Sequence, residues 1–247
     1  MRLSSTVKIF TTVLLGTVIF LGVLLCLRVD DITVVGNSYY SEEEAKELVF
    51  SGTWSRSPLV IFYKNRTGKY GEIPFVEKYS VKLSGLTSAE LILYEKNLVG
   101  YVEFMGSNLY FDRDGTVIES SKEKIENVTR VTGLEVSSVV LGRTLPLENE
   151  ELLDELLAVT QFLTAQKAEV NGKTTLLMDI TDRIHFNGSS QIILYLGDIA
   201  VNLGKGTLLE EKLSEMKAIL PELSGMSGTL HLENYTAGST GGVYTFD

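Results

Sequence analysis

Nineteen consecutive residues, Ile9–Leu27 (IFTTVLLGTVIFLGVLLCL), carry no charged side chain. At ~1.5 Å of rise per residue a helix of that run nearly matches a hydrocarbon core of ~30 Å. Its thirteen Leu, Ile, Val and Phe residues outweigh three Thr and two Gly on an insertion scale. A cleavable signal peptide has a shorter apolar region and a small-x-small cleavage site. Here the run ends in Cys26-Leu27-Arg28-Val29-Asp30 with no such site, and where a lipoprotein needs small residues just before its cysteine, Leu24 and Leu25 precede Cys26. The expectation is one uncleaved transmembrane helix over residues 9–28. Arg2 and Lys8 precede it and Asp30 and Asp31 follow it, so residues 1–8 form a cytoplasmic stub and the rest faces outwards, as in a single-pass type II protein.

Roughly 220 residues follow, enough for one large or two ordinary domains. Apolar residues make up 44% of the chain and there are only four prolines, which fits folded structure rather than a disordered stalk. A net charge of −10 argues against nucleic acid as a partner and against the chain lying flat on an anionic membrane surface, and it also serves solubility. Cys26 is the one cysteine, so the external part has neither disulfides nor a thiolate metal cluster, and its stability must come from packing.

After the apolar run, Ile32–Val35 reads as a strand and Gly36-Asn37 as the turn closing it. Ser41-Glu42-Glu43-Glu44 is a capping box, with Ala45, Leu48 and Val49 on one face of the helix it opens. A second helix follows Pro58 and stops at Gly68. Two alternating strands come next, Tyr79–Leu83 and Ala89–Leu93, joined by a hairpin at 85–88. This order is β-α-α-β-β. With ITVVGNSYYSEEEAKELV at its front and IPFVEKYSVKL and AELILYEKN at its end, the stretch resembles a POTRA domain, a small module that binds polypeptides.

From Leu98 the chain is richer in strands. Val99–Phe104, Leu109–Asp112 and Thr116–Ile118 are strand candidates, with a tight turn at Asp112–Gly115. Asn149 caps a helix whose Leu152, Leu153, Leu156, Leu157 and Leu163 form one stripe. Leu176–Ile180, Gln191–Leu196 and Ile199–Leu203 read as strands. Thr207-x-x-Glu210 reads as a second capping box, opening a helix with Leu209, Leu213, Met216 and Leu220 inside. Thr229–Glu233 alternates cleanly, and a Gly- and Thr-rich turn separates it from Val243–Phe246.

Reactive constellations are scarce. The two histidines, His185 and His231, lie in strand patterns far apart in sequence, with no His-Glu-x-x-His motif and no cysteine pair. Asp112-x-Asp114-Gly115 places its Gly at the fourth position of a calcium loop instead of the sixth. Gly204-Lys205-Gly206-Thr207 lacks the upstream Gly of a phosphate loop. Ser-x-x-Lys at Ser121 and Ser214 lacks the companion motifs of a penicillin-binding enzyme. The expectation is a protein that is not an enzyme, with no metal, no cofactor and no small-molecule substrate. The short alternating strands near the chain end have two readings: an edge that a partner strand extends, or strands that merely close the sheet.

The whole arrangement resembles the FtsQ/DivIB family of bacterial division proteins, through the POTRA stretch, GSNLYFDRDGTVIE, VNLGKGTLLEEKLSEMKAIL and GTLHLENY. The fold expected from it is α+β: a single N-terminal transmembrane helix, a POTRA domain over 29–97 and a larger mixed domain with an extended sheet over 98–247. The resemblance implies a scaffold in the membrane at the division septum. Such a scaffold holds small single-pass partners of the FtsL/DivIC (FtsB) type and regulates septal peptidoglycan synthesis. By position GTLHLENY corresponds to the family's late partner-binding strand, so Leu230, His231, Leu232, Glu233 and Tyr235 are the implied contact residues. Charge reversal at Glu233 with Tyr235→Ala is expected to weaken the complex and leave the fold intact. An inner-membrane component of a secretion or pilus system is the alternative.

Overall fold

The computed structural model describes residues 5–188, 191–236 and 244–247, with the side chains of 5, 6 and 24–26 left out. It is an α+β protein that divides into two compact units, Met1–Lys96 and Asn97–Asp247.

Helix α1 (Ser5–Cys26) covers most of the apolar run, and every described side chain from 7 to 23 is exposed. Among the described residues no helix is long and apolar enough to cross a membrane. The span expected over 9–28 is therefore not shown by the structure: α1 is twenty-two residues long, but its last turn, where Leu24 and Leu25 stand, lies outside the described side chains.

The rest of the first unit is built from β1 (Asp31–Val35), α2 (Glu42–Val49), α3 (Pro58–Thr67), β2 (Val76–Leu83) and β3 (Ser88–Glu95). The expected β-α-α-β-β order is present, and the sheet runs β1-β3-β2. β1 pairs parallel with β3, from Asp31 opposite Ser88 to Val35 opposite Ile92, while β2 and β3 form an antiparallel hairpin. Local chemistry sets the helix ends. The Ser41 hydroxyl accepts from the Glu44 N–H at 3.3 Å and Glu44 Oε2 accepts from the Ser41 N–H at 2.9 Å, the two halves of a capping box. Pro58 supplies the fixed φ of a first helical residue, and Gly68, in the left-handed region, ends α3. At Gly36 φ is +81°, and a Cβ would run into the Leu93 carbonyl oxygen, so the turn after β1 requires glycine. Ile32, Val34, Ala45, Val49, Ile61, Val81, Leu91 and Leu93 form this unit's core.

The second unit holds a nine-stranded sheet in the order β14-β13-β12-β11-β10-β7-β4-β5-β6. Its strands are β4 (Gly100–Phe104), β5 (Ser107–Phe111), β6 (Val117–Ser121), β7 (Thr129–Thr132), β10 (Arg183–Phe186), β11 (Ile192–Leu196), β12 (Ile199–Gly204), β13 (Gly228–His231) and β14 (Thr245–Phe246). A separate hairpin joins β8 (Lys167–Val170) to β9 (Lys173–Leu176). Helices α4 (Glu150–Ala165) and α5 (Leu209–Ile219) pack on each other and on the sheet, with Leu156, Val159, Leu163, Leu213 and Met216 in one core with Val131, Ile184, Leu194 and Val201. Asn149 caps α4 as expected, through its Oδ1 and the Glu151 N–H.

Three expectations are corrected here. Residues 178–180 form a 3-10 turn, not a strand, because the Thr181 N–H turns back to the Met178 carbonyl. The Thr207 capping box does not form: Leu208, at φ +56°, is the N-cap residue of α5. The alternating strand of 229–233 stops at His231, and Glu233 and Asn234 lie in a turn. Most of the Gly- and Thr-rich turn, and Val243, lie outside the described residues.

Candidate functional site

The five implied contact residues sit at the closing end of the large sheet. Leu230 and Leu232 are wholly buried and belong to the core that also holds residues of α4 and α5. His231, Glu233 and Tyr235 are half-buried. On one side β13 runs parallel to β12, extended by the Leu232 N–H donating to the Asn202 carbonyl at 2.8 Å. On the other side β13 is already occupied. β14 pairs antiparallel with it, Phe246 opposite Leu230 and Thr245 opposite His231, and Thr229 and Asp247 exchange backbone bonds of 2.8 and 3.2 Å. Among the described residues, β14 rather than β13 ends the sheet. At the far end, β6 is partly covered, since the Val117 N–H donates to Arg143 and the Gly142 N–H to Val117.

A side-chain latch spans the two last strands. His231 Nδ1 lies 2.9 Å from Glu233 Oε1, and Nε2 lies 3.1 Å from Asp247 Oδ1. The Glu233 contact, more than any other influence, raises the His231 pKa above the ordinary histidine value; burial opposes it and Asp247 adds to it. A raised folded-state value means the stabilisation is complete below the ordinary histidine pKa of ~6.5 and is lost as pH rises through the folded value. The expected result of a titration followed by imidazole resonances is a His231 pKa above that of His231 in the Glu233→Gln variant. Equal values in the two proteins would show that the latch does not exist in solution.

Behind the latch lies a buried charged cluster that sequence reasoning missed. Lys212 on α5 is only 2% exposed, and its Nζ donates to the Leu203 carbonyl at 2.7 Å and the Lys205 carbonyl at 3.0 Å. Burial pushes its pKa below the ordinary lysine value, against the pull of Glu233 and Glu155. Glu155 on α4 has its pKa raised, first by burial; the Gly206 N–H and Lys212 act the other way. Gly206 leaves room for the Glu155 carboxylate, which would have to shift if a Cβ stood there. One signal was available: Lys212 stands three residues after Leu209 and four before Met216, on the apolar stripe of its helix. Because Glu233 belongs to this cluster, reversing its charge would set a cation against Lys212. The expectation that such a change leaves the fold intact is therefore withdrawn.

No protein-family model and no curated protein matches the chain. Among solved structures, the major extracytoplasmic domain of the trans isomer of the cell division protein DivIB from Geobacillus stearothermophilus is similar at 15% identity and a TM-score of 0.32. The likeness covers 51% of this chain and 91% of that one.

Proposed function

We propose that the chain is a membrane-anchored scaffold of the division septum, of the FtsQ/DivIB kind. In this reading α1 is the anchor, the first unit is a POTRA module, and the second unit holds small single-pass partners of the FtsL/DivIC (FtsB) type beside the septal cell-wall machinery. The protein acts by binding, not by catalysis, with its C-terminal units outside the cytoplasmic membrane. The observation that carries the reading is the β-α-α-β-β unit with strand order β1-β3-β2, which follows the apolar stretch as the sequence resemblance implied. The single-strand edge at β14 supports the binding role: backbone pairing there gives affinity, and the surface of His231, Glu233 and Tyr235 gives specificity.

The test is the position of a fluorescent fusion, joined by a long linker to the residues before α1, in dividing cells. The expected result is a band at mid-cell that appears with constriction. An even membrane signal in a strain the fusion complements would overturn the septal role and leave the secretion-component reading in its place.

A further inference from the structure

From Leu48 to Gly71 the chain has no acidic residue, although it holds 32 Asp and Glu in all. Arg56, Lys64, Arg66 and Lys69 fall within this stretch. It also carries large apolar side chains that the fold leaves outside: Trp54 is 58% exposed, Phe62 64% and Tyr63 58%. On α3, Phe62 and Tyr63 oppose the packed side, where Ile61 is buried and the Asn65 side chain donates to the Val81 carbonyl at 2.7 Å, and Trp54 lies in the turn before the helix. Arg66, four residues beyond Phe62, joins their stripe and is exposed.

The place of this surface in the unit says what it meets. The Leu27 N–H, at the end of the apolar run, still bonds to the Val23 carbonyl, and two residues later the Val29 N–H bonds to the Arg56 carbonyl at 2.8 Å. Trp54 and Arg56 share a cleft of about 380 Å³ with Leu27 and Arg28, the residues on which the chain leaves α1. Helix α3 itself lies against α1. Asp30 balances Arg28, at 3.0 Å, and reaches Arg56 at 4.0 Å; it does not extend to the α3 stripe.

We propose that Trp54, Phe62 and Tyr63, with Arg66 and Lys69, seat the first unit on the outer surface of the phospholipid bilayer that α1 crosses. The inference rests on the reading of α1 as an anchor. Aromatic side chains with an apolar body and a polar tip settle at headgroup depth, and basic side chains beside them favour anionic lipid. The face is thus a second, peripheral contact with the membrane, and it fixes how the unit stands on its anchor.

Trp54 is the chain's single tryptophan, so its fluorescence reports on this face alone. The full chain would be placed in nanodiscs of phosphatidylglycerol or phosphatidylcholine and compared with the R66E/K69E variant, whose two substitutions lie at exposed positions. In phosphatidylglycerol the Trp54 emission should be blue-shifted and quenched by lipid bearing a nitroxide near its headgroup. Its quenching by acrylamide should be about threefold weaker than in the variant, a difference that shrinks in phosphatidylcholine. Release of the protein from cell membranes by alkaline extraction overturns the anchor and the docking together. Retention with Trp54 open to acrylamide and untouched by the nitroxide lipid overturns the docking alone. Shielding from both quenchers means a protein, a second copy or a partner, covers the face, and this too overturns the assignment to lipid.

Discussion

Lys212→Met lowers the unfolding free energy of the second unit by about 3 kcal/mol, the scale for removing one member of a buried charged set. Methionine fills nearly the same space, so the loss is electrostatic and not one of volume. Without the ammonium, the Leu203 and Lys205 carbonyls lose their donor, and the Glu155 and Glu233 carboxyl groups face an apolar side chain in place of a cation. Each of these glutamates has an Oε2 that is buried with no hydrogen-bond partner, so neither can turn to another protein donor in place. Adding Glu155→Gln should recover part of the loss, because it removes one of the stranded carboxyl groups. The raised Glu155 pKa fixes the pH signature. Its stabilising contribution is complete below the ordinary glutamate value and is lost as pH rises through the folded value. Urea unfolding of the detergent-solubilised chain, followed by far-ultraviolet circular dichroism across that range, measures both effects. A loss below about 1 kcal/mol, the range of an exposed pair, would mean that the cluster is hydrated and not buried.

Phe246→Ala undocks β14. The Phe246 ring packs against the main core and lies over Gly228, where a Cβ would meet its Cζ at 2.9 Å. β14 otherwise holds β13 through few backbone bonds and the His231–Asp247 contact. Removing a partly buried ring costs about 2 kcal/mol, so amide exchange over residues 229–231 should accelerate by roughly thirtyfold. Mass-resolved hydrogen exchange checks this, and unchanged protection would mean that β14 stays docked through its backbone alone. The same variant divides two modes of partner binding. A partner that extends the outer edge of β14 binds Phe246→Ala more weakly, whereas one that takes the place of β14 on β13 binds it more tightly.

What could be read in the sequence was mostly what neighbouring residues decide. Ser41 and Glu44 form their capping box through bonds three residues apart, and the alternation of 79–83 and 89–93 needs only the hairpin at 85–88. Leu230 and Leu232 showed their shared face for the same reason. The centre of the large sheet was not legible. β7 and β10 are four residues each, too short to show a period, and they lie side by side although some fifty residues separate them, Arg130 opposite Arg183. Thr207 looked like a cap because its local spacing is right. The loop before α5 is instead held by distant groups, Glu155 against Gly206 and Lys212 on the Lys205 carbonyl, which move the helix start to Leu208. The charged cluster was hidden for that reason too: its members come from α4, α5 and the turn after β13, and nothing in the spacing of 155, 212 and 233 joins them. At the candidate site the sequence supplied two strands near the chain end but not their pairing, and the pairing decides which edge is open.

The parallel match of β1 with β3 has a mechanical meaning. Tension between α1 and the second unit enters the first unit at the N-terminal end of β1 and leaves it from the C-terminal end of β3. In a parallel pair those ends lie at opposite extremes, so the pull slides one strand along the other instead of peeling them apart. All the bonds from Asp31–Ser88 to Val35–Ile92 then bear load together and must fail together. Resistance to such a pull is a matter of unfolding rate and not of equilibrium stability. A pull between α1 and the second unit is thereby held by the clamp of β1 on β3, while β2, paired to the other side of β3, is not in line with the force.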